Sequence, residues 1–240
     1  MTLVLAFDTA TAYGSVAAGP PGDARAVAGI PDRQHGARLV PAALDALGRI
    51  GAAPGDVTDL VVGDGPGSFT GLRIAHATAR GWLRATGAAL WTAPSLLALA
   101  WAMRARHAGP VAAMYDALRG EVFAAIVRFV PRLEMVVPPR RTTPDALANE
   151  VSGTGMLAVG EGAVAHAPLM KAWTGRAPLG PPEAVPHARS FVELFAIPGA
   201  LRRIDEAFTW TPDYGRAAEA QVRWERAHGH ALPHSARRHT

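Results

Sequence analysis

Two stretches set the reading of this chain: LAFDTATAYGSVAA at residues 5–18 and AMYDALRGEVFAA at residues 113–125. Each carries an apolar run into an aspartate, crosses a turn to a glycine and restarts as a second apolar run. That is the pattern of two buried strands joined by a tight acidic turn. Outward from the first, ARAVAG at 24–29 completes a three-strand meander, residues 35–50 have helical spacing, and LVVG at 60–63 reads as a buried strand. A second helix is predicted over 70–86, a strand over 90–93, and a third helix over 95–107 with Ser95 as its N-cap. Outward from the second stretch come strands over 111–129, a strand in RLEMVV, a helix over 144–151 and a strand in MLAVGEG. The same order of elements therefore occurs twice, which reads as a two-lobed α/β protein made by duplicating a ββαβα-type unit. Chance similarity of two meanders is the alternative.

The expected divisions are an N-terminal lobe over 1–108, a second and reduced lobe over 109–205, a helical segment over 206–228 and a disordered tail over 229–240. Proline-rich residues 178–186 read as irregular, 190–204 as helix broken at Pro198-Gly199, and 217–228 as a charged helix.

With 240 residues, 49% of them hydrophobic, the chain can bury a substantial core. It has no cysteine, which excludes disulfides, thiol catalysis and cysteine-held metals, and agrees with a cytoplasmic setting. The opening MTLVLAFDTA reads as a first strand rather than a secretory leader. No run reaches the roughly 18 apolar residues of a membrane span, so no membrane partner is expected. Lys171 is the only lysine, which leaves the first half without the point charge that many nucleotide sites place on phosphate.

The glycine-rich stretch GDGPGSFTGLRIAHATARGW, residues 63–82, invites comparison with a phosphate loop. A Walker loop needs GxxxxGK[ST], and Leu72 and Arg73 stand where its lysine and hydroxyl would be. The glycines are better read as permitting a tight strand-to-helix turn, with Ser68 or Thr70 capping the helix. Anion binding there, with Ser68, Thr70 and Arg73, is kept as a candidate. Asp8, Thr9 and Thr11 are the other candidate nucleotide contacts, against the plainer reading that Asp8 caps its own turn.

The helix over 35–50 is apolar around about 200° of arc, wider than one sheet face requires. Its Leu39, Ala43 and Leu47, with Ala75, Ala79 and Trp82 of the next helix, are the candidate partner interface; burial of both helices within the chain is the alternative. The interface reading predicts that Ala75→Arg or Leu47→Glu abolishes association and leaves the fold intact.

GPGSFTGLRIA, together with LAFDTATAYGSVAA, RQHGARLVPAALDAL and YDALRGEVFAAI, resembles the TsaB family of tRNA threonylcarbamoyladenosine biosynthesis accessory subunits. PDYGRAAEAQVRWE resembles that family's C-terminal motif. The resemblance implies an actin-like, ribonuclease H-like fold and a chain with no catalytic residues of its own. Its implied partners are a TsaD-like catalytic subunit, which modifies the adenosine 3′ of the anticodon in tRNAs reading codons that begin with A, and a TsaE-like P-loop ATPase. tRNA is expected to be met through the complex and no cofactor to be bound by this chain alone; a homodimer and ATP at an interface of the complex are left open. Helical metal-binding histidines four apart are absent here, since His35 is followed by Leu39, and His230 with His234 is a poor substitute around Pro233. The competing reading is an active actin-like kinase or ATPase using Asp8 and Asp116. Its second turn, Asp116 to Gly120, has no double glycine to converge N–H groups on phosphate.

Overall fold

The computed structural model describes residues 1–212 and Tyr214. Strands β1 (Val4–Asp8), β2 (Gly14–Gly19) and β3 (Ala26–Ile30) form an antiparallel meander, followed by α1 (His35–Arg49) and a 3-10 turn at Pro54–Asp56. Then come β4 (Asp59–Gly63), α2 (Phe69–Thr86), β5 (Ala89–Ala93) and α3 (Ser95–Ala102). β4 and β5 add in parallel beside β1, β5 following β4 through the crossover helix α2 that a parallel pair needs. The second unit repeats the plan with β6 (Val111–Asp116), β7 (Val122–Arg128), β8 (Glu134–Thr142), α4 (Pro144–Glu150) and β9 (Leu157–Val159). The chain continues through α5 (Glu161–Ala165), α6 (Ala167–Thr174) and α7 (Ala188–Leu194) and returns to the first sheet as β10 (Arg202–Ile204).

The first sheet runs β10-β5-β4-β1-β2-β3 and the second β8-β7-β6-β9. In both, the meander has its first strand central and paired in parallel with the strand that follows the crossover helix. The expected duplicated, actin-like α/β architecture is therefore present; in the second sheet the place of β5 is taken, among the described residues, by a single parallel bridge from Leu179 to Val159 of β9.

Strand alternation builds the layers. On β1, Leu5 and Phe7 enter a core with α1 and α2, while Val4 and Ala6 enter another with α3 and α7. That second core is continuous with Val111, Ala113 and Tyr115 of β6, so one apolar body joins both sheets. The outer face of the second sheet is covered by α4 and α6.

Several expectations are corrected. α3 ends at Ala102, well before 107, and Ser95 lies inside it, where its hydroxyl bonds Asp8 in place of capping. The strand expected over 132–137 runs on through Pro138 and Pro139 to Thr142, which an edge strand tolerates because its outer N–H groups need no ladder partner. Residues 161–174 hold two helices that the sequence reading did not assign. Residues 190–204 are not one broken helix: α7 stops at Leu194, and 202–204 pair antiparallel with β5. The helix expected over 217–228 and the tail over 229–240 lie outside the described residues.

Candidate functional site

The turn after β1 is where an actin-like ATPase would grip phosphate, and here the chain has built over it. Asp8 Oδ1 accepts from the Ala10 N–H at 2.8 Å, and Oδ2 accepts from the Ser95 hydroxyl at 2.5 Å. Thr9 donates its hydroxyl to the Gly71 carbonyl at 2.7 Å, and the Ser68 N–H donates to the Ala10 carbonyl at 2.6 Å. A Cβ on Gly67 would collide with Ala10, on Gly71 with the Thr9 carbonyl, and on Gly63 with the Asp8 carboxylate. The glycine loop is thus glycine-rich so that it can lie directly on the 8–11 turn.

This placement changes the standing of the candidate nucleotide contacts. Asp8 and Thr9 are fully buried with their polar atoms engaged inside the protein, and Thr11 is buried with its hydroxyl accepting from the Tyr13 N–H. Ser68 is the helix cap, accepting from the Gly71 N–H at 3.2 Å. Thr70 is exposed, and the Arg73 guanidinium lies over the Phe69 ring at 4.4 Å. These six residues do not converge on an open anion site.

Burial pushes the Asp8 carboxyl above its ordinary range, against the lowering effect of its Ser95 and Ala10 hydrogen bonds. Tyr115, also buried, donates to the Ser95 carbonyl at 2.8 Å; burial and then the nearby Asp8 and Glu161 carboxylates raise its hydroxyl far above 10. In the second unit Asp116 remains exposed and accepts from the Leu118 N–H at 2.7 Å. Burial, then Asp116, raises Glu161. Asp8 and Asp116 therefore sit in opposite environments, one enclosed and one at the surface.

The space between the inner sheet faces is filled as well. α7 packs on β1 and β2, and its Ala188 N–H donates to the Ser15 hydroxyl at 2.8 Å. Glu193 of α7 accepts from Trp101 Nε1 at 2.8 Å and pairs with Arg104 at 3.0 Å, which ties α7 to the α3 region. Among the described residues no group of three or more metal-ligating side chains assembles, and no helix is long and apolar enough to cross a membrane. His230 and His234 lie outside the described residues.

The candidate partner residues are placed inward. Leu39, Ala43, Leu47, Ala75, Ala79 and Trp82 all belong to the core beneath α1 and α2, each under one-tenth exposed. They cannot form an outer surface, and the expectation that Ala75→Arg or Leu47→Glu spares the fold is corrected: each would drive a charge into that core. The excess apolar arc of α1 is nevertheless real. Val40 and Leu44 are 42% and 46% exposed, and Ala37 lies on the same i, i+3, i+7 stripe. On α2, Arg73, Ala77 and Gly81 form an exposed ridge at i, i+4, i+8. The two helices meet where a Cβ on Gly36 would touch Ile74 at 3.8 Å, so the stripes belong to one face. The sequence reading missed these positions because helical spacing shows that an arc is too wide, not which part of it the sheet takes.

Duplicated sheets, with the first acidic turn enclosed beneath the glycine loop and an apolar strip on the α1–α2 pair, define a protein of the actin-like fold. Known proteins narrow this further. Residues 28–151 match the family model described as tRNA N6-adenosine threonylcarbamoyltransferase, TsaD. The tRNA threonylcarbamoyladenosine biosynthesis protein TsaB of Escherichia coli is 37% identical over 123 residues, about half of either chain. The Haemophilus influenzae protein of the same name is 29% identical over 94% of this chain and 97% of its own. The structure of YeaZ from Pseudomonas aeruginosa superposes with a TM-score of 0.74 at 27% identity, covering 89% of this chain and all of that one. The chain belongs to the TsaB family.

Proposed function

We propose that this protein is a non-catalytic accessory subunit for threonylcarbamoyl transfer to the adenosine 3′ of the anticodon in tRNAs reading codons that begin with A. In this reading it binds and activates a TsaD-like catalytic subunit through the α1–α2 face, with a TsaE-like ATPase as a further member of the complex. tRNA is engaged through the assembly, and any ATP sits at an interface of the complex. A homodimer through the same face is the resting alternative to the heteromeric pair.

The observation that carries the reading is the exposed strip of Ala37, Val40, Leu44, Ala77 and Gly81 on a chain whose α1–α2 core is already complete beneath it. Small residues on α2 let another helix approach closely, and Val40 and Leu44 supply apolar area to bury. The alternative, a kinase or ATPase using Asp8 and Asp116, is disfavoured by the enclosure of Asp8 beneath the glycine loop.

The test is an omit-one reconstitution with the host's TsaD-like, TsaE-like and carbamoyl-adenylate-forming proteins, ATP, threonine, bicarbonate and unmodified tRNA. Modification is expected to require this chain and to fail with Leu44→Glu, while the purified chain hydrolyses no ATP. Equal modification without it, or ATP turnover that Asp8→Ala removes, would overturn the proposal.

A further inference from the structure

α1 begins with little to hold it. Gln34, its N-cap, makes no side-chain capping bond, and the first turn carries no acidic residue to meet the unpaired N–H groups. From Pro31 to Arg38 every residue is exposed except His35, and the next buried side chain is Leu39, a full turn further on. Arg33, on the approach to the helix, is held at φ 60°, a left-handed conformation that strains a residue with a side chain. Among the described residues its guanidinium reaches only the Asp32 carboxylate, at 3.8 Å. One side chain, His35, therefore fastens this segment to the body of the protein.

Its seat suits a neutral ring and no other. The ring lies on Gly14, where β2 begins: a Cβ there would overlap Cδ2 and Nε2 of His35 and stand 3.2 Å from Ile30, the strand partner of Gly14. Nε2 is enclosed in this notch with no hydrogen-bond partner among the described residues. A neutral imidazole leaves a bare nitrogen there, whereas an imidazolium would bring an N–H with nothing to accept it. Nor is its charge compensated. β2 and β3 carry no ionisable residue, and Tyr13, just before β2, is exposed. On α2, Arg73 lies over Phe69 and His76 is bonded to the Trp210 carbonyl; on α1, Arg38 turns to Gln34 Oε1. Only Asp32 acts on the ring, from an exposed carboxylate shared with Arg33. The helix dipole disfavours a cation at this end of α1 as well. Burial accordingly holds His35 below the ordinary imidazole range, with Asp32 opposing the shift.

We infer that His35 is a neutral pin: it fastens residues 31–38 to the start of β2, and a proton on its ring frees that segment as far as Leu39. The fastened segment takes up this proton less readily than the freed one. The fastening is therefore complete above the ordinary imidazole value of 6.5 and is lost as pH falls through the lower folded value. Its consequence for assembly, a weaker hold on the catalytic subunit in acid because Ala37 lies in the freed segment, rests on the function proposed above; the release itself does not.

The test is amide exchange of the full-length protein, followed residue by residue by NMR and corrected for the intrinsic pH dependence of exchange, beside the titration of the His35 ring protons. As pH falls from about 7.5 to about 5, protection of the Ala37 to Val40 amides is expected to be lost with the midpoint of the His35 ring, while Ala43 to Leu47 keep theirs. His35→Gln is expected to remove this step, whatever level of protection it leaves. Gly14→Ala evicts the ring without charging it, and is expected to lower protection of the same amides at neutral pH. A ring that titrates at 6.5 or above, protection in the parent that ignores pH, or a step that survives in His35→Gln would each overturn the inference. So would undiminished protection in Gly14→Ala. No partner protein enters these measurements, so their failure leaves the proposed function standing, and a failed reconstitution would remove the consequence for assembly while leaving the pin.

Discussion

Asp8 is the residue on which the two readings of the chain divide, and its surroundings decide what it can do. A carboxylate that positions a metal or a water must be ionised and reachable, whereas Asp8 is enclosed, accepts from Ser95 and Ala10, and is shifted by burial toward its neutral form. Because the folded protein holds this proton more tightly than the unfolded chain, the native state binds more protons in the interval between the two values. Stability from this site is then lost as pH rises from the ordinary carboxylate range through the raised folded value. Asp8→Asn keeps an acceptor for the Ala10 N–H and can donate to the Ser95 oxygen without the charge. The variant is expected to gain stability relative to the parent between pH 4 and pH 8, read as the difference in urea midpoints. Asp8→Ala leaves the Ala10 N–H and the Ser95 hydroxyl unpaired and is expected to cost about 1–3 kcal/mol. A parent protein that gains on Asp8→Asn as pH rises would contradict the buried, proton-retaining site.

Among the elements, α1 shows how a single helix can serve two surfaces. Its Leu39, Ala43 and Leu47 complete the core, and Val40 and Leu44, one and three positions away from them, remain outside it. Substitutions on the two sides should separate cleanly. Leu44→Glu and Val40→Arg are expected to change stability by less than about 0.5 kcal/mol while abolishing pull-down of the catalytic subunit. Leu47→Glu is expected to cost about 4 kcal/mol or more, because an unpaired charge enters the core, and to lower soluble yield. Circular dichroism melts beside the pull-down distinguish the two outcomes. The same contrast explains what was legible in the sequence. Both acidic turns, the doubled order of elements and the helix opened by the glycine loop could be read because local spacing and turn chemistry encode them. The side of α1 that meets the sheet could not, since that depends on register between distant segments. Nor could β10, whose three residues become a strand only by adding to the edge of β5, or β8 beyond Val137, where two prolines mimic a strand end but occupy an edge.

At the scale of the whole molecule, the first acidic turn is enclosed beneath the glycine loop and one apolar core joins the two sheets. The core shared by Val4, Ala6, Leu96, Tyr115, Phe123 and Phe191 spans both sheets, and the Glu193 bonds to Trp101 and Arg104 close it at one side. The path from β10 through Trp210 ties the end of the described chain to α2, so Trp210→Ala is expected to cost about 3 kcal/mol by a denaturant midpoint. A centre packed in this way suits the proposed role of a subunit that presents a helical face, whereas an enzyme of this fold must admit ATP and close on it. The two demands differ in one measurable way. A ligand held by the native state stabilises it by mass action, by about 2.7 kcal/mol at a concentration a hundred times its Kd, and so raises the melting temperature. Magnesium-ATP at millimolar concentration is therefore expected to leave the melting temperature of the isolated chain unchanged, in the parent and in Asp116→Ala alike. A shift in the parent that is lost in Asp116→Ala would mean that the second turn holds nucleotide after all, and that the filled centre opens in solution.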